Sequence, residues 1–152
     1  MKTIVCLLLL LTRFQQGTPL VSASDAEKVL GMRAQLSAHT SKEKDGVIKQ
    51  ELAYTGMVDT NTRLYVLSAR YSDGAVAHQA FAAIVSANAG MAGQEKISGL
   101  GDEAFFHTDK KHFELLIFRK DSQMVTLKIN RITSKTSVTE LRRLAAKLEQ
   151  GL

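Results

Sequence analysis

His112-Phe113-Glu114-Leu115-Leu116-Ile117-Phe118-Arg119-Lys120 is the stretch that decides the fold. Read with a period of two, Phe113, Leu115 and Ile117 point to one face, and Leu116 and Phe118 to the other. A strand that is apolar on both faces needs cover on both, so it belongs inside a sheet with packing on each side. Its neighbours are close in the chain. Glu103–Thr108 reads as a strand joined to it through a tight Asp109-Lys110-Lys111 turn. Asp121-Ser122 is the next turn. Beyond it Val125, Leu127 and Ile129 alternate with Thr126, Lys128 and Asn130, which is the pattern of a third strand.

Working outward, Ser137-Val138-Thr139-Glu140 has the spacing of a capping box. Val138, Leu141, Leu144, Ala145 and Leu148 follow as a helical stripe. On the N-terminal side, residues 91–102 hold Gly93, Gly99 and Gly101 and read as a loop. Before it, Ser72 or Asp73 caps a helix whose stripe is Val76, Ala77, Ala80, Phe81, Ile84 and Val85, ending near Asn88 and Gly90. Three further strands are expected. They are Ala34–Ala38, Ile48–Tyr54 after a polar Lys42–Gly46 turn, and Thr62–Tyr71, which is rich in branched and aromatic residues. A first capping box, Ser24-Asp25-Ala26-Glu27, opens a short helix that stops at Gly31. The order is α-βββ-α-βββ-α. Short strands joined by tight turns imply an α+β domain with a mainly antiparallel six-stranded sheet and packed helices.

Residues 1–23 read as a signal peptide. Lys2 supplies the positive start, and Ile4–Leu11 is an apolar run too short for the roughly 20 residues of a membrane span. Val21-Ser22-Ala23 carries small residues at signal-peptidase spacing, so cleavage is expected after Ala23, leaving 24–152 as a single domain. Arg13, just after the run, is unusual there. The chain's only cysteine, Cys6, lies inside the run and away from any lipid-attachment position. A domain exported without disulfides suits a bacterial envelope. A periplasmic or secreted address follows, and no later stretch is apolar enough to span a membrane.

Charge is uneven. Residues 24–106 carry 8 basic and 10 acidic side chains, whereas 107–152 carry 10 basic and 5 acidic. Arg119, Lys120, Lys128 and Arg131 therefore offer positive charge to an anionic envelope component, with a solvated surface as the plainer reading. Nucleic acid is not an expected partner, because no interleaving of aromatic and basic residues occurs.

Ile97-Ser98-Gly99-Leu100-Gly101-Asp102-Glu103-Ala104-Phe105-Phe106 resembles a G-L-G-D-E-A segment found in many exported bacterial α+β domains. These include small uncharacterised lipoproteins and the extracytoplasmic sensor domains of some membrane Ser/Thr kinases. Ser24–Gly31 is similar to the helix that opens them. The resemblance implies a six-stranded antiparallel sheet with helices, comparable to photosystem-associated and nuclear-import-factor folds. The relatives' paired disulfide and lipid-anchored cysteine are absent here, and the group has no common activity to inherit.

Chemistry is sparse. Gly99, Gly101 and Asp102 could form a backbone nest for an anion, but a strand and not a helix follows, so a turn is the plainer reading. His107 and His112 flank the 108–111 turn near Asp109. Two histidines fall short of the three or four ligands of a stable metal site. His39 and His78 stand alone, the latter on the exposed side of its helix. No G-x-S-x-G and no H-E-x-x-H occurs, and no cofactor is implied. The expected function is a non-enzymatic exported binding, sensor or envelope-interaction domain, meeting an anionic envelope component or a protein partner. Its expected contact surface is the open side of the sheet with the 91–102 loop. The alternative is a small periplasmic hydrolase or an enzyme inhibitor.

Overall fold

The computed structural model describes residues 18–152. The apolar run Ile4–Leu11 lies outside the described residues. The elements are α1 (Ala23–Leu30), β1 (Ala34–Lys44), β2 (Val47–Gly56), β3 (Arg63–Arg70), α2 (Gly74–Ala87), β4 (Gln94–Ile97), β5 (Glu103–Thr108), β6 (Glu114–Lys120), β7 (Gln123–Ile129) and α3 (Val138–Gln150). They form an antiparallel sheet in the order β1-β2-β3-β7-β6-β5-β4. The α+β class and the antiparallel sheet agree with the sequence. The strand count does not: among the described residues there are seven strands, and the order is α-βββ-α-ββββ-α.

The added strand is β4, inside the segment read as loop. It pairs only with β5, from Gln94 opposite His107 to Ile97 opposite Ala104. As an edge strand it needs one apolar contact and not an apolar face, and Ile97 provides it. Period-two patterning is therefore absent from Gln94-Glu95-Lys96-Ile97, and the flanking glycines mask the strand.

β6 is covered on both faces, as its composition demands. On the first face Leu116 and Phe118 meet Leu127 and Val125 of β7 under α1 and α3. On the second, Ile117 joins Phe105 and Met124 beneath Phe81 of α2. The result is three layers, with the larger core on the α1/α3 side. Among the described residues no helix is long and apolar enough to cross a membrane.

Helix starts follow local chemistry. Asp73 caps α2 by accepting from Val76 N at 2.9 Å. Ser137 caps α3 by accepting from Glu140 N at 3.2 Å. The return arm of that capping box is not made, because Ser137 N donates to Val29 O at 2.9 Å and so ties α3 to α1. The first helix starts one frame earlier than the Ser24 box implies. Ser22 is its cap, accepting from Asp25 N at 3.1 Å, while Glu27 takes Ala34 N at 3.2 Å. Ser22-Ala23-Ser24-Asp25 offers the same chemistry as the Ser24 frame, and it prevails because Val21, just before it, is fully buried. The Tyr54 hydroxyl donates to Val21 O. Val21 and Ser22 are thus parts of the folded unit.

β1 and β2 run further than expected, through Lys42 and Lys44, up to a turn with Asp45 at φ 53° and Gly46 at φ 74°. Positive φ at both central residues is the hairpin geometry that Asp-Gly favours.

One core position is out of character. Glu114 opens β6 on the α1/α3 face, and its Oε2 has no hydrogen-bond partner among the described residues. Burial pushes its pKa up, and the charge of Arg142 only partly opposes this. Arg142 is itself held by Glu95 at 2.7 Å and lies over the Phe106 ring. A carboxyl with a raised folded pKa favours folding while protonated. Its contribution is therefore lost as pH rises from the unfolded value of about 4.3 through the raised one. Glu114→Gln is expected to raise stability at pH 7 by about 1 kcal/mol. The gain should disappear below about pH 4, where the carboxyl is neutral in both states. Urea melts at pH 3.5 and 7 check this, and an equal gain at both would refute the burial account.

Candidate functional site

The second face of the sheet is only partly covered, because α2 packs mainly over β6 and β7 and touches β5 through Phe81 and His78. Beyond its C-terminal end one transverse row crosses five strands. Tyr65 of β3 lies opposite Lys128 of β7, Lys128 opposite Leu115 of β6, Leu115 opposite His107 of β5, and His107 opposite Gln94 of β4. Antiparallel partners share a face, so these side chains form one strip. Phe113, from the β5–β6 turn, and Asn88, Met91 and Ala92, from the α2–β4 connection, rise beside it. With Asp109 and the His107, Leu115 and Lys128 part of the strip, they line a groove of about 510 Å³.

Each wall has a local cause. Asp109 organises the β5–β6 turn. Its Oδ1 accepts from the backbone N of Lys111 at 3.0 Å, His112 at 2.7 Å and Phe113 at 3.1 Å. Its Oδ2 lies 2.6 Å from His112 Nδ1. These bonds, the one from His112 N foremost, hold the Asp109 carboxyl far below the usual range. They also draw residues 111–113 out of the ladder, so β6 starts at Glu114 and not at His112. The two histidines consequently do not meet as a cross-strand pair. His112 stays in the exposed turn against Asp109, whereas His107 sits in the strand and lines the groove.

His107 is the unusual member. It is 6% exposed. The Phe113 ring meets it edge-on at 5.0 Å between centroids, and Phe105 lies at 6.2 Å. Its ring nitrogens make no hydrogen bond among the described residues. With no partner in the protein, these nitrogens are left to solvent or to a guest in the groove that His107 lines. Lys128 Nζ lies 5.9 Å from the centre of the Phe113 ring, within cation–π range. Lys128 forms no ion pair among the described residues.

The other basic candidates are engaged and dispersed. Arg119 binds Asp102 and Glu103, both at 2.8 Å. Lys120 binds Glu149 of α3 at 3.1 Å, on the opposite face, and Arg131 reaches Asp59 at 3.5 Å in a loop. Of the four, Lys128 alone is at the groove. Glu103 also takes His78 at 2.8 Å. Burial works against its ionisation, but the hydrogen bonds from His78 and Arg119 overcome this and hold it below the usual carboxylate range.

Gly99, Gly101 and Asp102 are drawn into the same ion-paired corner. Asp102 Oδ2 accepts from Asp121 N at 2.8 Å as well as from Arg119, and Asp102 N donates to Arg119 O at 2.8 Å. The segment clamps the β4–β5 loop to the β6–β7 turn. Among the described residues no group of three or more His, Cys, Asp or Glu side chains is arranged to hold a metal. A second, more apolar cleft of about 330 Å³ separates α2 from β4 and β5 between Phe81, Val85 and Phe105.

Reading the sequence alone missed Asn88 in the groove's wall and Tyr65 at the end of the strip, while Met91 and Ala92 fall within the 91–102 loop expected at the contact surface. The available signal was the shared parity of Phe113 and Leu115, which becomes a site only once register brings Lys128 and His107 into line with it. Compared with family models, with curated proteins and with solved structures, the chain matches none.

Proposed function

We propose that this chain is an exported binding domain without chemistry of its own, a sensor, adaptor or envelope-interaction module, and that the groove at His107 is its contact site. The observation that carries the reading is a groove of about 510 Å³ lined by His107, whose ring makes no hydrogen bond among the described residues, and by Lys128, which makes no ion pair among them. That volume lies within the range of small-ligand pockets. The residues lining it include no serine, threonine or cysteine, the usual acyl-transfer nucleophiles, and this favours binding as the role of the groove. The ion pairing of Arg119, Lys120 and Arg131 argues for one local cationic contact at Lys128 and against adhesion through a broad basic patch.

Export is supported by the apolar run at Ile4–Leu11 and by the likeness of 97–106 to exported domains. The burial of Val21 supports a signal that ends ahead of it. When the full sequence is made in a bacterium, the protein is expected outside the cytoplasm with a mature N-terminus at or before Val21. Fractionation and intact-mass measurement check this, and cytoplasmic protein retaining Met1–Gly17 would refute it. Native mass spectrometry of the same material is expected to show a bound small molecule that denaturation releases.

A further inference from the structure

We infer that the groove takes a flat aromatic or similarly apolar monocarboxylate; this rests on the groove being the binding site. The body of the ligand is set by the walls. Met91, Ala92, Phe113 and Leu115 present apolar surface, and Met91 is 54% exposed, an open thioether that adapts to a planar guest. Its polar end is set by two groups. His107 lines the groove without a hydrogen-bond partner among the described residues, and its two ring nitrogens can donate one hydrogen bond and accept another. Lys128 is the one lysine or arginine lining the groove among the described residues.

The sign of the site follows from how its charges are already used. Asp109 also borders the groove, but three backbone N–H groups and His112 share its two oxygens. Those bonds occupy its oxygens within its own turn without cancelling its charge. Among the described residues the Lys128 ammonium has only the face of Phe113. The charge left free to pair with a guest is therefore the single positive one on Lys128, half-sheltered by aromatic surface. A monoanion balances it. A dianion such as a phosphate monoester would bring a second charge with no cation to receive it. A neutral guest would leave the ammonium unmatched.

Three probes of one shape test the inference: 1-naphthoate, 1-naphthalenemethanol and 1-naphthyl phosphate. Each is titrated into the protein by calorimetry, with the His107 ring proton followed by NMR. The carboxylate is expected to bind saturably, to move the His107 resonance, and to bind more tightly than either the alcohol or the phosphate. Lys128→Met is expected to weaken the carboxylate about fivefold and to leave the alcohol unchanged, the size of a partly exposed charge contact. If the alcohol or the phosphate moves His107 and binds as tightly as the carboxylate, the ligand class is wrong while the groove stands. If none of the three moves His107, the groove itself fails as the site. Lys128 is exposed, so its replacement is not expected to impair folding; an unchanged amide spectrum verifies that.

Discussion

A protein that begins at Ser24 is expected to be about 3.5–7 kcal/mol less stable than one that begins at Thr18. Three losses combine. Val21 is fully buried against the larger core, and removing such a side chain costs about 1.5–3 kcal/mol. Ser22 caps α1, and a lost cap costs about 1 kcal/mol. The Tyr54 hydroxyl loses Val21 O as acceptor, and a buried hydroxyl left unpaired costs about 1–3 kcal/mol. Against a total stability of about 5–15 kcal/mol, the short form should be marginal. Urea unfolding of both forms measures the difference. Tyr54→Phe separates the contributions: it should destabilise the long form and stabilise the short one, because only the long form has a bond to lose. Equal midpoints for the two starting points would mean that Val21 is not part of the core. The same result bears on export, since a signal peptidase cutting after Ala23 would release a domain lacking its first core residue and its first helix cap.

Why the sequence locates some of these features and misses others is a matter of range. β6 was legible because each of its faces carries its own apolar residues, a property of nine consecutive positions. The α2 and α3 caps were legible because Asp73 and Ser137 act three residues away. At α1 two serines offer the same local chemistry, and the choice between them is made by the burial of Val21 beneath Tyr54, a contact 33 residues distant. β4 escaped notice because an edge strand takes its order from its partner. The groove was the least legible feature. Tyr65, Lys128, Leu115 and His107 become neighbours only through three strand pairings. Two depend on hairpin turns whose lengths were not fixed by composition, and the third joins β3 to β7 across four intervening elements; the β5–β6 turn is longer than expected because Asp109 gathers three amides. The basic candidates failed to converge for a related reason. Arg119 and Lys120 are adjacent in sequence, but adjacent residues on a strand face opposite ways, so one meets Asp102 and Glu103 while the other meets Glu149.

The Gly99-Leu100-Gly101-Asp102 segment can be resolved between a clamp and an anion nest by its two glycines, which should behave very differently. Gly101→Ala is expected to cost about 3–4 kcal/mol. Its backbone has φ +59°, and an added Cβ would stand 2.4 Å from Arg119 O. That oxygen cannot yield easily, since it accepts from Asp102 N at 2.8 Å, and the same Asp102 side chain holds Asp121 N and Arg119. Moving the carbonyl therefore disturbs the β6–β7 turn, where Asp121 is itself at φ 51°. Gly99→Ala meets no atom within 4 Å and has only its φ of +76° to accommodate, an expected cost of about 1 kcal/mol. A nest built to hold an anion would behave otherwise. Its two glycines would matter similarly, and added phosphate or sulfate would raise the melting temperature of the wild type and not of the variants. Urea midpoints for the two alanine variants, with and without phosphate, decide the matter. A large loss at Gly101 alone, insensitive to the anion, is the expected result. Matched small losses that phosphate enlarges would establish the nest and dissolve the clamp.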